Sequence, residues 1–305
     1  MTKFKLRTFP STLVLAGLSF VDDVPAFLRV SRADTKIDFA SFFQNTPLKK
    51  TTQATANFIQ YNTDPLAHVV SQVIAQGNST IGAAILWYDS PTEASPACFA
   101  PFFDIPASSS TVAFKTHSTF ADETGALFVG GRTDTFVAGT HIGKTYEDLL
   151  RGVEIVADVF LSAVLALQAI VPEEDLGIVC IDWQPIGALW AEGSRKADPG
   201  GNAFGFDPEM KGTYMAGAEV VEWKNSKYDE QVGAWVRNTT EAIVIATKAT
   251  GLWDPFLYMG DATGFQDVLS SYGEDIHRRL LRVSRKYDLK RVFQRLLPGG
   301  LKIGL

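Results

Sequence analysis

The chain has 305 residues, 46% hydrophobic and 20% charged, a balance that supports a sizeable core. Its formal net charge is -6 at pH 7, and no Lys/Arg-rich run is present to neutralise phosphates, which argues against nucleic acid as a partner. Two cysteines (Cys98, Cys180) and four scattered histidines (His68, His117, His141, His277) give neither a disulfide framework nor a metal-ligand spacing.

Residues 3–9 and 12–21 read as strands. Phe4 and Leu6 alternate with Lys3, Lys5 and Arg7, which is strand periodicity rather than a signal peptide. "DFASFFQNT" and "TTQATANFIQY" suggest helical pieces. Residues 66–76 and 80–89 read as a strand pair around the turn "GNS". A short helix opened by proline is expected over 96–105, and a strand over 132–139. The clearest element is 144–170, with apolar residues every three or four positions and Pro172 closing it. No apolar run reaches 18 residues, so no membrane span is expected. Strands over 176–184 and 213–223 follow, then a helix over 228–250 ending at Gly251. A last strand is expected in "PFLYMGD", then a helix over 272–286 and a tail. Strands in pairs, separated by single long helices, predict an α+β domain: an antiparallel sheet with helices packed on one face, plus the C-terminal helix and tail.

The loop "ADPGGNAFGFDP", residues 197–208, invites a phosphate-binding reading. Gly200 and Gly205 have Walker spacing, but Phe206 and Asp207 stand where lysine and a hydroxyl are required. No helix follows at once, as a dinucleotide fingerprint needs. A nucleophilic triad lacks its G-x-S-x-G. Tyr258 and Asp261 lie at a strand end leading into a loop, where functional groups tend to sit. Asp261 is either a general base, if burial raises its pKa, or a cap of the following turn.

"DWQPIG", "GGNAFGFD", "PFLYMGDATGFQDVLSSYG" and "RVSRKYDLKRVFQRLLPGGLKIGL" together resemble the C-terminal half of fungal berberine-bridge-enzyme-like FAD-linked oxidoreductases, in the vanillyl-alcohol-oxidase (PCMH-type) superfamily. The likeness runs from about residue 1 to 305, is weakest over 22–50 and most specific over 255–302. It implies one substrate domain over 1–305, with 255–305 as its berberine-like C-terminal segment. The chain begins "MTKFKLRTFP", where the family's FAD-binding domain ends, so residues 1–10 are expected to be a remnant strand of an absent domain. FAD is then the cofactor by family, but is not expected to bind tightly to this chain alone. The partners are a small-molecule substrate and a separate FAD-binding domain, with no nucleic acid and no membrane.

The resemblance also assigns residues. Aligned on Tyr258, the family's asparagine position is Gly260 and its second, catalytic tyrosine is Asp261; both depart from the pattern. Tyr258 and Asp261 are therefore the catalytic candidates, and Tyr258 and Gly260 the cofactor-facing ones. A carboxylate is a stronger acid than a phenol by about six pK units, so Asp261 would need burial to act as base. Trp183, Gln184 and Asn202 are expected to line the substrate face. The implied activity is oxidation of a small alcohol, sugar or secondary metabolite. The alternatives are a free-standing non-redox binding domain or rearrangement catalyst, and an inactive fragment. No signal peptide is read at the start, although full family members are often secreted.

Overall fold

The computed structural model describes residues 37–44, 48–89, 96–126, 130–197, 202–206, 210–297 and 299–304. The strands expected over 3–9 and 12–21, and the remnant strand over 1–10, lie outside them.

The strands are β1 (Ile37–Gln44), β2 (Ala67–Gln76), β3 (Ser79–Tyr88), β4 (Ser109–Ser110), β5 (Ala113–Phe114), β6 (Thr133–Gly143), β7 (Leu176–Ile186) and β8 (Thr213–Trp223). They form one eight-stranded sheet in the order β4-β1-β3-β2-β7-β8-β6, with β5 paired to β1. Each pairing is antiparallel. The helices are α1 (Leu48–Tyr61), α2 (Ala100–Phe103), α3 (His117–Gly125), α4 (Tyr146–Ile170), α5 (Ala188–Ala197), α6 (Asp229–Ala249), α7 (Val268–Ser271), α8 (Glu274–Tyr287) and α9 (Val292–Arg295). The α+β class expected from the sequence is the observed one.

Strand alternation sorts side chains onto two faces. On β7, Val179, Ile181 and Trp183 enter the main core with Phe160 and Leu167 of α4 and Trp235 of α6. The even positions, such as Cys180, join Ala218 and Val220 on the other side. Helices α1, α4 and α6 close the first face. α4 starts with a capping box in which Thr145 and Asp148 satisfy each other's backbone N–H. By length and composition α4 is apolar enough to cross a membrane, yet Leu149, Val153, Val156, Phe160, Val164 and Leu167 form a buried stripe against the sheet.

The opposite face is partly covered. Ala191 of α5, Phe206, Phe256, Tyr258, Val268 and Tyr272 pack on Ile186 and Ala216. Over β3, Phe120 of α3 meets Trp87 edge-on at 5.6 Å between centroids.

Two local expectations fail for identifiable reasons. "DFASFFQNT" is a strand: β1 pairs β3 continuously from Ile37 opposite Tyr88 to Gln44 opposite Ile81, and non-local pairing overrides the helical pattern. "PFLYMGD" is not a strand. Pro255 has no N–H, Phe256 donates its N–H to Asp254 Oδ1 at 2.9 Å, and Leu257 donates to Ser271 Oγ at 3.0 Å. Side chains satisfy this backbone in place of a ladder. The segment is instead held against edge strand β6. Ile142 N–H donates to the Leu252 carbonyl at 2.7 Å. Gln266 brackets Ala138, accepting from its N–H at 3.0 Å and donating to its carbonyl at 2.7 Å.

Candidate functional site

A cleft of about 370 Å³ opens on the partly covered face and reaches Phe58, Ile59 and Gln60 of α1. It opens where two neighbouring strands part. β2 and β7 pair only over Ser71–Ile74 against Cys180–Trp183; beyond that point Pro185 carries no N–H to continue the ladder. His68, Val70, Ile85 and Trp87 of β2 and β3 line one wall, with Phe120 against them. Gln184, Ile186, Leu189, Trp190, Phe204, Phe206 and Tyr258 line the other.

Adjacent to the second wall is a buried polar chain. Gln184 Nε2 donates to Asp261 Oδ2 at 3.2 Å and lies 3.4 Å from Asp182 Oδ1. The same Asp182 oxygen accepts the Ala218 N–H at 3.0 Å. Asp261 is 1% exposed and Asp182 3%. Burial pushes the Asp182 carboxyl well above the usual carboxylate range, against the two hydrogen bonds that lower it. Tyr258 is pushed up as well, first by burial, then by the Asp261 and Tyr272 charges, so its phenol stays protonated. The Tyr258 hydroxyl and Gln184 Oε1 are buried without a hydrogen-bond partner, an arrangement that costs stability and is a common mark of functional sites.

The residues expected from the sequence divide accordingly. Gln184, Tyr258, Gly260 and Asp261 are brought together. A Cβ on Gly260 would stand 2.5 Å from the Tyr258 ring, so glycine there is what lets Tyr258 occupy its position. Trp183 does not share the face of Gln184. Neighbouring strand residues point to opposite sides, and Trp183 is buried among the helices. Asn202 is buried in its own loop: its Oδ1 accepts the N–H groups of Phe204 (3.0 Å) and Phe206 (3.1 Å), and its Nδ2 donates to the Phe206 carbonyl (3.3 Å). It does not line the cleft but holds two aromatic residues that do. Those amides are committed, so the described part of the loop offers no anion nest.

Sequence reading missed Asp182, Trp87 and Phe120. Asp182 was detectable: a carboxylate in the otherwise apolar strand "LGIVCIDW" must be paired or protonated when buried. Trp87 and Phe120 become neighbours only through tertiary structure. Other buried titratable groups sit apart from the cleft. His141 packs against Gly152 of α4 and burial lowers its pKa to about 3. Glu219 meets Thr240 Oγ1 of α6 at 2.8 Å and burial raises its pKa to about 8. Among the described residues no His, Cys, Asp and Glu cluster is arranged to hold a metal ion.

No family model matches the chain. The FAD-dependent monooxygenase FUP4 of Fusarium proliferatum is 30% identical over 237 residues, covering 75% of this chain and 44% of the relative. Among solved structures, 6-hydroxy-D-nicotine oxidase from Arthrobacter nicotinovorans superposes with a TM-score of 0.61 at 14% identity, covering 86% of this chain and 54% of that one. A variant of berberine bridge enzyme gives 0.53 at 11% identity, with 88% and 55% covered. The chain spans about half the length of the curated relatives it matches. By sequence it is a homologue of the fungal FAD-dependent monooxygenases and oxidoreductases, flavoproteins whose cofactor is FAD, and over most of its length it has the fold of berberine-bridge-like flavoenzymes.

Proposed function

We propose that this chain is the substrate-binding half of an FAD-dependent oxidoreductase acting on a small molecule, and that the cleft between β2 and β7 is where the substrate lies. The observation that supports this best is the convergence of Gln184, Tyr258, Gly260 and Asp261 beside a cleft of ligand size.

The lining fits only part of FAD. Flat aromatic walls suit a ring system. No lysine or arginine is among the described residues that line the cleft, so none of these neutralises a diphosphate. The residues suited to face a flavin ring are Tyr258 and Gly260, which makes room for the tyrosine. Bound FAD would supply the two-electron acceptor. The chain's own residues do the rest. Aromatic walls exclude water, and the protonated Tyr258 hydroxyl offers a hydrogen bond. Asp261 holds the Gln184 amide and is the candidate to receive a substrate proton.

The test joins the part of the Fusarium FUP4 monooxygenase that this chain does not match to this chain. The fused protein is expected to retain FAD through gel filtration, with flavin fluorescence and O2 reactivity changed from those of the added part alone. A flavin whose spectrum and reactivity are the same with and without this chain would overturn the reading.

A further inference from the structure

The cleft lining specifies the charge class of its ligand, and we infer that the occupant is an uncharged, ring-based apolar molecule rather than a sugar, an anion or an ammonium ion. The inference rests on the reading of the cleft as the substrate site. It names a class which that reading leaves open.

Trp87, Phe120, Trp190, Phe204, Phe206 and Tyr258 all line the cleft. Such walls match flat apolar surface and offer it more than its area alone. No Lys or Arg is among the described lining residues. His68, the one titratable base there, is held neutral: burial lowers its pKa, only partly opposed by Asp89 and Asp64. Asp182 and Asp261 sit behind Gln184 and add negative potential if ionised. An anion would lose its hydration and meet no counter-charge, which is costly.

Of the polar lining groups, Asn62 and Asp64 are hydrogen-bonded within the chain, while Gln184 Oε1 and the Tyr258 hydroxyl stay open. Asp64 accepts the Leu66 N–H at 2.9 Å on Oδ1 and the Tyr88 hydroxyl at 2.9 Å on Oδ2. Asn62 accepts the Asp64 N–H at 3.0 Å and donates to the Asp64 carbonyl at 3.1 Å. A sugar needs a fan of open donors and acceptors around its ring, and this wall offers few. Asp64, the carboxylate among the described lining residues, already spends a lone pair of each oxygen on a hydrogen bond, which weakens its hold on an ammonium ion. A volume of about 370 Å³ lies at the small end of ligand sites, which run roughly 300–1,000 Å³.

Calorimetric titration of the purified chain, without flavin, separates the classes. The probes are 2-naphthol, 2-naphthoate, 2-naphthylmethylammonium and xylobiose. We expect 2-naphthol to bind at least about tenfold more tightly than any of the other three. Leu189→Arg changes a lining residue that is 39% exposed on α5, where a charged side chain is tolerated. It should weaken 2-naphthol and strengthen 2-naphthoate by about tenfold, reversing their order. Binding of naphthoate, the ammonium probe or xylobiose as tightly as 2-naphthol overturns the inference, as does the absence of any 2-naphthol binding, or an unchanged order in the variant. Naphthol binding alongside an unaffected flavin in the fused protein would sink the redox reading and leave this one standing.

Discussion

Trp183 and Gln184 are consecutive residues of one strand, and they belong to different parts of the molecule. Trp183 enters a dry core sealed by three long helices. Gln184 enters a face where the covering is partial and where its amide reaches the carboxyls of Asp182 and Asp261. The first face is organised as a folding core, mostly apolar and close-packed, in which one oxygen of Glu219 meets a hydroxyl on α6 while its other oxygen and His141 Nε2 are buried without a partner. The second places linked polar groups beside a cleft. A sheet thus separates stability from chemistry by side-chain alternation alone.

The sharpest way to break this comparison is to truncate both neighbours. Trp183→Ala should cost about 3–5 kcal/mol of unfolding free energy, as expected for a large buried aromatic, measured by denaturant titration. Gln184→Ala removes the donor to Asp261 and should cost less, about 1–3 kcal/mol, while weakening 2-naphthol binding. Equal losses from the two would deny that the faces differ.

Glu219 gives the next effect through pH. Its folded pKa is about 8 against 4.5 for an ordinary glutamate. Between those values the folded chain keeps a proton that the unfolded chain has released. Stability therefore falls as pH rises from about 4.5 to about 8, by about 1.4 kcal/mol per unit from this group, and levels off above. Asp182 and Glu222 are also raised by burial and slope the same way. Glu219→Gln should flatten the fall without removing it; an unchanged profile would show that Glu219 is ionised in the folded chain. The smallest expected effect is Asn202→Ala, about 1 kcal/mol from lost loop hydrogen bonds, with a loosened Phe204 and Phe206 and weaker 2-naphthol binding.

Much of this was legible in the sequence because it is local. The period of 144–170, the β2–β3 hairpin and the strand bearing "DWQP" carry their own patterns, and the motifs near the C-terminus carried the family. What was not legible depended on distant partners. β1 is a strand because β3 offers eight successive backbone partners. Residues 255–261 are irregular because Asp254 and Ser271 satisfy amides that a strand would have paired. The wall of Trp87 and Phe120 joins residues from β3 and α3 that no periodicity links. Trp183 was placed beside Gln184 against a rule the sequence already contained, the alternation of a strand.

We propose that the partly covered face, and not the helix-covered side, acts on the flavin. The most direct measurement places one substitution on each side of the fused protein. Leu189→Arg lies in the cleft wall, and Leu165→Arg lies on the outer surface of α4, 71% exposed. Flavin fluorescence and O2 reactivity should change markedly with Leu189→Arg and stay unaltered with Leu165→Arg. Equal responses, or a response to Leu165→Arg alone, would contradict the account.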